Sequence, residues 1–194
     1  MIVVRVEGGL GNQMFQVAFG MQLADRHRTE LVLDLSPYGQ RPEHGYLLDR
    51  FAVTARQLRA DEARRIPRRY RAGVSRWPAL PALRGLKRLR EKPFGFAEKY
   101  WLAPDDSYLV GYWQSERFFR DVRSQVRSQF RPIVPVSLQT ERLRERMLAG
   151  PTVALHIRRG DYLHNPHAAA IYRSLSVDYY RGCVMEWVSE RGRG

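Results

Sequence analysis

The residues best suited to chemistry lie in the sequence HIRRGD at positions 156–161. The run TVALHI at 152–157 predicts a buried strand. Four polar or charged side chains lie near its end or directly after it: His156, Arg158, Arg159 and Asp161. Arginine presents a planar fork of donors that matches phosphate and stays charged at any working pH. Because successive side chains of a strand point to opposite sides, we expect only one of the two arginines to contact an anion directly.

The rest of this motif allows two interpretations. The second arginine would hold the loop through Asp161, and His156 can donate to a phosphate or a sugar hydroxyl or act as an acid. The alternative is a purely structural network of salt bridges. A protein-kinase catalytic loop is excluded, because HIRRGD lacks the following metal-binding asparagine and the chain lacks the glycine-rich loop with its strand lysine.

A second polar segment, GGLGNQ, follows the apolar run MIVVRV at the start of the chain. Five of its residues are candidates for ligand binding: Gly8, Gly9, Gly11, Asn12 and Gln13. Glycines let backbone amides approach a ligand closely, and the amino terminus of the following helix adds partial positive charge. The spacing is not G-x-G-x-x-G and no P-loop lysine follows, so a turn needed only for tight strand–helix packing is the alternative.

The apolar pattern places both segments at the carboxyl ends of strands. Residues 1–6 predict a strand, residues 10–24 an amphipathic helix and residues 29–35 a second strand. This βαβ unit implies a parallel sheet with a right-handed crossover, in which ligands bind at the carboxyl ends of the strands. Two further strands are predicted, at 107–114 and 152–157, and a proline linker is predicted at 131–136. Three further helices are predicted at 115–130, 137–148 and 176–192. Ser137 and Ser176 are the predicted caps of the last two.

The distribution of charge along the chain limits the kinds of partner that we expect. The net charge is +13, and the segment from Arg56 to Lys99 holds 11 Arg and 3 Lys against four acidic residues. We expect short helices and loops in this basic segment, which is either a solvated insertion or a contact for anionic lipid. Nucleic acid is the least favoured partner, because no zinc-finger spacing or RNA-binding aromatic signature occurs.

The single cysteine, Cys183, allows no internal disulfide and no multi-cysteine metal site. No secretory signal pattern opens the sequence, and no apolar run approaches the ~20 residues of a membrane span. We therefore expect a cytoplasmic protein that is soluble or sits peripherally at the inner face of the membrane.

Four blocks in order, over nearly all of the chain, carry a family resemblance: VRVEGGLGNQMFQVAFGMQLA, LDRFAV, LVGYWQSERFF and ALHIRRGDYL. Together they resemble the bacterial α-1,2-fucosyltransferase family, and HIRRGD resembles the HxRRxD motif shared by α-1,2-, α-1,6- and protein O-fucosyltransferases. The resemblance implies a metal-independent, inverting transfer of L-fucose from GDP-β-L-fucose to the 2-hydroxyl of a terminal galactose, with no further cofactor.

The same resemblance implies an α/β fold of GT-B type. A first Rossmann-like domain at 1–135, with the basic insertion at about 56–99, would precede an incomplete donor-binding domain at 136–194. Family members continue with an FSDD-like strand end and an SSFSWWGAW-like segment, and neither occurs in this sequence. We therefore expect the chain to be a fragment that shows no measurable transfer by itself.

The resemblance also assigns roles to residues. Arg158 or Arg159 would bind the donor β-phosphate and stabilise the departing GDP, which agrees with an arginine clamp where negative charge develops. His156 would assist at the donor and Asp161 would orient the arginines. From the facing domain, the residues lining the cleft would be Gly9, Asn12 and Gln13.

Two questions stay open at the level of sequence. The sequence does not assign the base that deprotonates the acceptor; the candidates are three carboxylates near strand ends: Glu7, Asp34 and Asp161. The competing functions are a non-catalytic sugar-nucleotide or glycan-binding remnant and a basic protein that binds nucleic acid or a membrane surface.

Overall fold

The structure, a computed structural model, describes residues 1–39, 45–66, 86–92, 95–157 and 175–191. The chain forms two compact units, Met1–Pro135 and Val136–Gly194. Arg158, Arg159 and Asp161 lie outside the described residues, as does most of the basic segment.

The first unit is built on a five-stranded parallel sheet with strand order β3-β2-β1-β5-β4. Its strands are β1 (Ile2–Arg5), β2 (Leu31–Asp34), β3 (Arg56–Gln57), β4 (Lys87–Arg90) and β5 (Ser107–Val110). Ile2 is in register with Leu31 on one side and Ser107 on the other, so the carboxyl ends of the three central strands form one edge. The predicted α/β class with a parallel sheet is confirmed, and the GT-B arrangement stays a prediction.

Helix α1 (Leu10–His27) connects β1 to β2 and packs on one face of the sheet. Its close approach depends on Gly20, because a Cβ there would lie 2.5 Å from Val4 Cγ2 and 2.8 Å from a Leu31 methyl carbon. The predicted βαβ unit is therefore present, and the small residue sets the distance between helix and sheet.

The apolar side chains divide between the two faces of the sheet. The face toward α1 holds the larger cluster, whose fully buried members include Ile2, Val4, Phe19, Leu33, Trp113 and Phe118. The opposite face holds Val3, Val32, Ile66, Tyr108 and Val110. Alternation along β1 thus separates Ile2 and Val4 from Val3, as expected for a strand covered on both sides.

The helix predicted at 115–130 is two helices. A 3-10 helix, Glu116–Val122, leads into α3 (Arg123–Gln129), with a break in helical geometry at Phe119 (φ −133°, ψ 29°). Phe118 still packs in the core, with its ring 5.0 Å from that of Phe19. The apolar spacing predicted the buried face correctly and could not show the break.

The expectation of short helices and loops in the basic segment is wrong at two places. Its described parts contain helix α2 (Ala60–Arg65) and a 3-10 helix, Glu98–Leu102, but also the strands β3 and β4 at the two edges of the sheet. These strands, with the sequences RQ and KRLR, contain almost no apolar residue, so no apolar pattern marks them as strands. They are strands because their backbones pair with β2 and β5.

The predicted linker at 131–136 is partly ordered against the first unit. Ala52 N donates to Arg131 O (3.0 Å) and Ile133 N donates to Arg50 O (2.9 Å), around an antiparallel bridge between Phe51 and Pro132. Pro132 has no N–H group to donate. It is tolerated here because the two hydrogen bonds use the carbonyl of Arg131 and the amide of Ile133, on either side of it.

The second unit contains two described helices, α4 (Leu138–Leu148) and α5 (Val177–Arg191). The Ser137 hydroxyl accepts from Thr140 N (3.2 Å) and the Ser176 hydroxyl accepts from Tyr179 N (3.3 Å), so both predicted serine caps are confirmed. The predicted strand at 152–157 is wrong: this segment is exposed and forms no strand, and no described residue pairs with it. No described helix is long and apolar enough to cross a membrane.

Candidate functional site

The glycine loop joins β1 to α1 at the carboxyl edge of the sheet. Gly8 has a φ of +82°, which strains any residue that has a side chain, and a Cβ at this position would lie 2.7 Å from Asn12 Nδ2 and would force the Asn12 side chain to move. Gly9 caps α1 without a side-chain hydrogen bond, and the first turn of the helix contains no acidic residue. The loop therefore presents the positive end of the helix dipole at the place where ligands bind in such sheets.

Gln13 fastens this loop to the next segment of the chain. Its fully buried side chain donates from Nε2 to Gly8 O and Gly45 O, both at 3.0 Å, and its Oε1 accepts from Leu47 N at 3.0 Å. The amide thus shapes the loop from inside the protein. Its predicted part in donor binding stays a prediction.

Gln16, which sequence reasoning missed, connects the loops that follow β1 and β5. It is fully buried, its Oε1 accepts from Glu7 N (3.0 Å) and its Nε2 donates to Gly111 O (3.1 Å). The available signal was that Gln13 and Gln16 occur at helical spacing among mostly apolar inward residues; Gln22 is a third buried glutamine of the same helix.

The loop after β5 contacts the glycine loop directly. Gln114 Nε2 donates to Asn12 Oδ1 at 2.7 Å. The turn before Gln114 is held by Glu91, whose Oε2 accepts from Tyr112 N (2.7 Å) and Trp113 N (3.0 Å). These contacts fix the position of Asn12 and Gln114 side by side at the edge of the sheet.

Two of the three candidate base carboxylates are described, and they differ in accessibility. Asp34 is 2% exposed; its Oδ2 accepts from Tyr108 OH (2.7 Å) and its Oδ1 from Ser36 N (2.9 Å). Glu7 keeps 31% of its side chain exposed, with Oε2 paired to Arg5 at 3.1 Å. Asp34 therefore holds strands together, whereas Glu7 faces solvent at the sheet edge.

Two tyrosines that sequence reasoning did not single out lie beside the glycine loop. Tyr38 OH donates to Gly8 O at 3.0 Å, and the rings of Tyr38 and Tyr46 are 6.4 Å apart. Burial, reinforced by the negative charge of Glu7, raises the pKa of Tyr38. Burial also raises the pKa of Tyr46, so both phenols stay protonated and can donate at neutral pH.

The HIRRGD residues belong to the second unit. His156 lies in the exposed segment 151–157, while Arg158, Arg159 and Asp161 are outside the described residues, so the predicted roles of all four stay predictions. The structure brings together the five residues of the glycine loop.

Comparison with protein families identifies the chain. A family model for "Glycosyl transferase family 11" matches residues 95–193, a range that includes HIRRGD. The chain belongs to this family. The family resemblance predicted from the motifs is thereby confirmed.

Two curated relatives of this family-11 glycosyltransferase come from Escherichia coli. An alpha-1,2-colitosyltransferase is 31% identical over 186 residues, which are 92% of this chain and 61% of the relative. The O-antigen biosynthesis glycosyltransferase WbnK is 52% identical over 33 residues, 17% of this chain and 11% of the relative. The chain thus spans about three-fifths of the length of the colitosyltransferase. No solved structure matches it.

A glycosyltransferase must hold a nucleotide-sugar donor and place an acceptor hydroxyl beside it. The described edge of the first unit supplies amide, phenol and carboxylate groups suited to hydroxyls, above all Glu7, Asn12 and Tyr46. Among the described residues no group of three or more His, Cys, Asp or Glu could hold a metal ion.

Proposed function

We propose that this chain is a family-11 glycosyltransferase, or part of one, that transfers L-fucose from GDP-β-L-fucose to the 2-hydroxyl of a terminal galactose on a glycan, with inversion at the anomeric carbon. The observation that carries the proposal is the 31% identity, over 92% of the chain, to an alpha-1,2-colitosyltransferase. Colitose is 3-deoxy-L-fucose, so the two donors differ by a single hydroxyl. The HIRRGD motif supports the fucosyl donor through its resemblance to the HxRRxD motif of fucosyltransferases.

Transfer from GDP-colitose is the second candidate, and the name of the same relative favours it. A donor site that hydrogen-bonds the 3-hydroxyl of fucose rejects the deoxy sugar strongly, whereas a site that packs apolar groups there discriminates weakly. The two candidates are therefore separated by relative rates with the two donors.

In the proposed reaction the acceptor oxygen attacks the anomeric carbon and the carbon–oxygen bond to the diphosphate breaks. The bonding electron pair leaves with GDP, whose new negative charge is stabilised by Arg158 or Arg159. The arginines supply the positive charge that a metal would otherwise provide, so we infer that transfer needs no metal. Treatment with EDTA should leave the rate unchanged.

We propose that Glu7 is the base that removes the proton of the acceptor hydroxyl. Glu7 keeps a third of its side chain exposed at the sheet edge and uses Oε2 for Arg5, which leaves Oε1 for the hydroxyl. Asp34 is a poorer candidate, because both of its oxygens are occupied and it is buried.

The test uses the protein expressed from its own gene, with lactose as acceptor and GDP-fucose, GDP-colitose or GDP-mannose as donor. Products are identified by mass spectrometry. Transfer of fucose at a rate above that of colitose is expected. Preference for colitose would select the second candidate, and transfer of mannose alone would contradict both.

A further inference from the structure

The surface of the first unit around Trp101 combines cations with aromatic rings. Phe96 and Trp101 are half-buried, and their ring centroids lie 5.7 Å apart in an edge-to-face contact. Arg117 Cζ lies 4.0 Å from the centroid of the Phe96 ring, and Arg120 Cζ lies 4.0 Å from that of the Trp101 ring. Two exposed arginines are thus stacked on neighbouring rings.

This stacking prepares both arginines to bind an anion. It occupies one face of each guanidinium group and leaves the N–H edge for hydrogen bonds. Arg117 pairs with no carboxylate among the described residues, and Arg120 makes a long ion pair, 3.5 Å from Nε to Asp121 Oδ1. Because the rings already restrict the two side chains, less rotamer entropy is lost when each pairs with a phosphate bidentately.

Two more cations border the stacked pair. Arg26, exposed on α1, donates from Nη1 to the Trp101 carbonyl oxygen at 2.7 Å. Lys99 precedes Trp101 by two residues and is exposed as well.

Three carboxylates lie near these cations, and two of them are engaged within the protein. Asp121 Oδ2 accepts from Gln22 Nε2 at 3.1 Å, and Asp25 Oδ1 accepts from Gln125 Nε2 at 3.1 Å. The third, Glu98, is exposed. The local excess of positive charge is therefore small, and the long-range attraction to an anionic surface comes from the net charge of +13. The stacked arginines supply the contact itself.

An apolar side chain projects beside the cations. Leu102, directly after Trp101, is 74% exposed and so contributes little to the packing of the first unit. Leucine and tryptophan next to arginine and lysine are the side chains favoured where lipid headgroups meet acyl chains. A free phosphate or a nucleic acid backbone offers no apolar phase for Leu102, so the combination favours a lipid.

We propose that this surface is where the protein contacts a membrane. The guanidinium groups of Arg117 and Arg120 bind the phosphates of anionic lipid headgroups, and Leu102 enters the boundary between headgroups and acyl chains. The surface thereby adds a defined contact to the general attraction of a basic protein for anionic lipid. It does not depend on which sugar the protein transfers.

The test is sedimentation of the protein, expressed from its own gene, with phosphatidylglycerol vesicles at low salt. Arg117→Gln combined with Arg120→Gln should lower the ratio of bound to free protein about tenfold or more, because each cation close to an anionic surface adds to binding. Leu102→Ser, which leaves the charge unchanged, should lower the same ratio about threefold.

The matched control is Arg142→Gln combined with Arg146→Gln, which removes the same charge from exposed positions of α4 and should stay within about twofold of the unaltered protein. Arg117→Lys combined with Arg120→Lys keeps the charge without the planar fork and should bind between the two extremes. Circular dichroism melting shows whether each variant is folded. If the glutamine variant is not, the lysine variant and Leu102→Ser provide the comparison.

Three results would overturn the proposal. The first is absence of sedimentation with phosphatidylglycerol vesicles, and the second is an equal loss in the Arg117/Arg120 and Arg142/Arg146 glutamine variants. The third is binding of a single-stranded oligonucleotide that depends on Arg117 and Arg120 while vesicle binding does not, since this would assign the surface to nucleic acid. None of these measurements uses a donor or an acceptor sugar, so the outcome is separable from that of the proposed function.

Discussion

Arg158 and Arg159 are adjacent in the sequence, and one guanidinium group is enough to pair with a β-phosphate bidentately. We predict that Arg158→Ala and Arg159→Ala have unequal effects. One should reduce kcat/KM for the donor by a factor of ~100 or more, as expected when a charged contact to the leaving group is removed. The other should mainly lower the stability of the fold. Donor kinetics and urea unfolding of both variants measure the difference, and equal small losses in both would argue against a phosphate clamp.

Gln13 provides a residue-scale prediction about the loop. Gln13→Leu would remove the partner of Gly45 O and Leu47 N, whereas Gly8 O would keep its hydrogen bond from the Tyr38 hydroxyl. Both groups are only partly buried, so water replaces part of what is lost and we expect a net loss of about 1–2 kcal/mol. Urea unfolding measures it, with the exposed Gln139→Leu as control. A loss below that of the control would contradict the structural role.

Single residues were predictable from the sequence where their chemistry is tied to a motif. The sequence predicted the glycine loop because the apolar run MIVVRV ends just before it. Gly8 in this loop has a positive φ, a conformation that favours glycine. Tyr38, Tyr46 and Gln16 were not found, because their importance comes from contacts between segments distant in sequence. Glu7 and Asp34 could be proposed as candidates, but only burial distinguishes them.

Among the elements, the edge strand β3 depends on a cluster of charges. Arg56 at its start donates to Glu30 before β2 and to Glu62 in α2, with distances from 2.6 to 2.9 Å. The Arg56 hydrogen bonds, with that from Arg59 N, hold the pKa of Glu62 at about 2, against an ordinary value of 4.5. Because the pKa is lower in the folded state, the stabilising effect is present above pH 4.5 and is lost as pH falls toward 2.

We therefore predict that Glu62→Gln lowers stability at pH 7 and that its difference from the unaltered protein shrinks between pH 4.5 and 2. Urea unfolding midpoints over this pH range measure the difference. Glu116→Gln, which removes an exposed carboxylate 3.2 Å from Arg123, serves as control and should change little at any pH. A constant difference for Glu62→Gln down to pH 2 would contradict the assignment.

The elements that the sequence predicted are those with a regular apolar pattern. β1, α1 and β2 follow from it, as do β5 and the two serine-capped helices. β3 and β4 were missed because short edge strands rich in Arg and Lys are set by backbone pairing. The strand expected at 152–157 shows the converse: an apolar β-branched run forms a strand only where another strand pairs with it.

On the scale of the whole molecule, the net charge of +13 bears on where the protein acts. We infer a cytoplasmic location with peripheral contact at the inner face of the membrane, since about 1 kcal/mol per Lys or Arg is available near an anionic surface. The protein should sediment with phosphatidylglycerol vesicles and not with phosphatidylcholine vesicles, and added salt should release it. Sedimentation that ignores lipid charge or salt would contradict this inference.

We propose that in the reaction of this protein a galactose 2-hydroxyl attacks a GDP-activated fucose. The most direct measurement is the NMR structure of the product formed from GDP-fucose and lactose by the protein expressed from its own gene. We predict a single product with an α-1,2 linkage to galactose, and no product from lactose whose galactose lacks the 2-hydroxyl. Fucose attached at any other hydroxyl, or undiminished transfer to the 2-deoxy acceptor, would contradict the account.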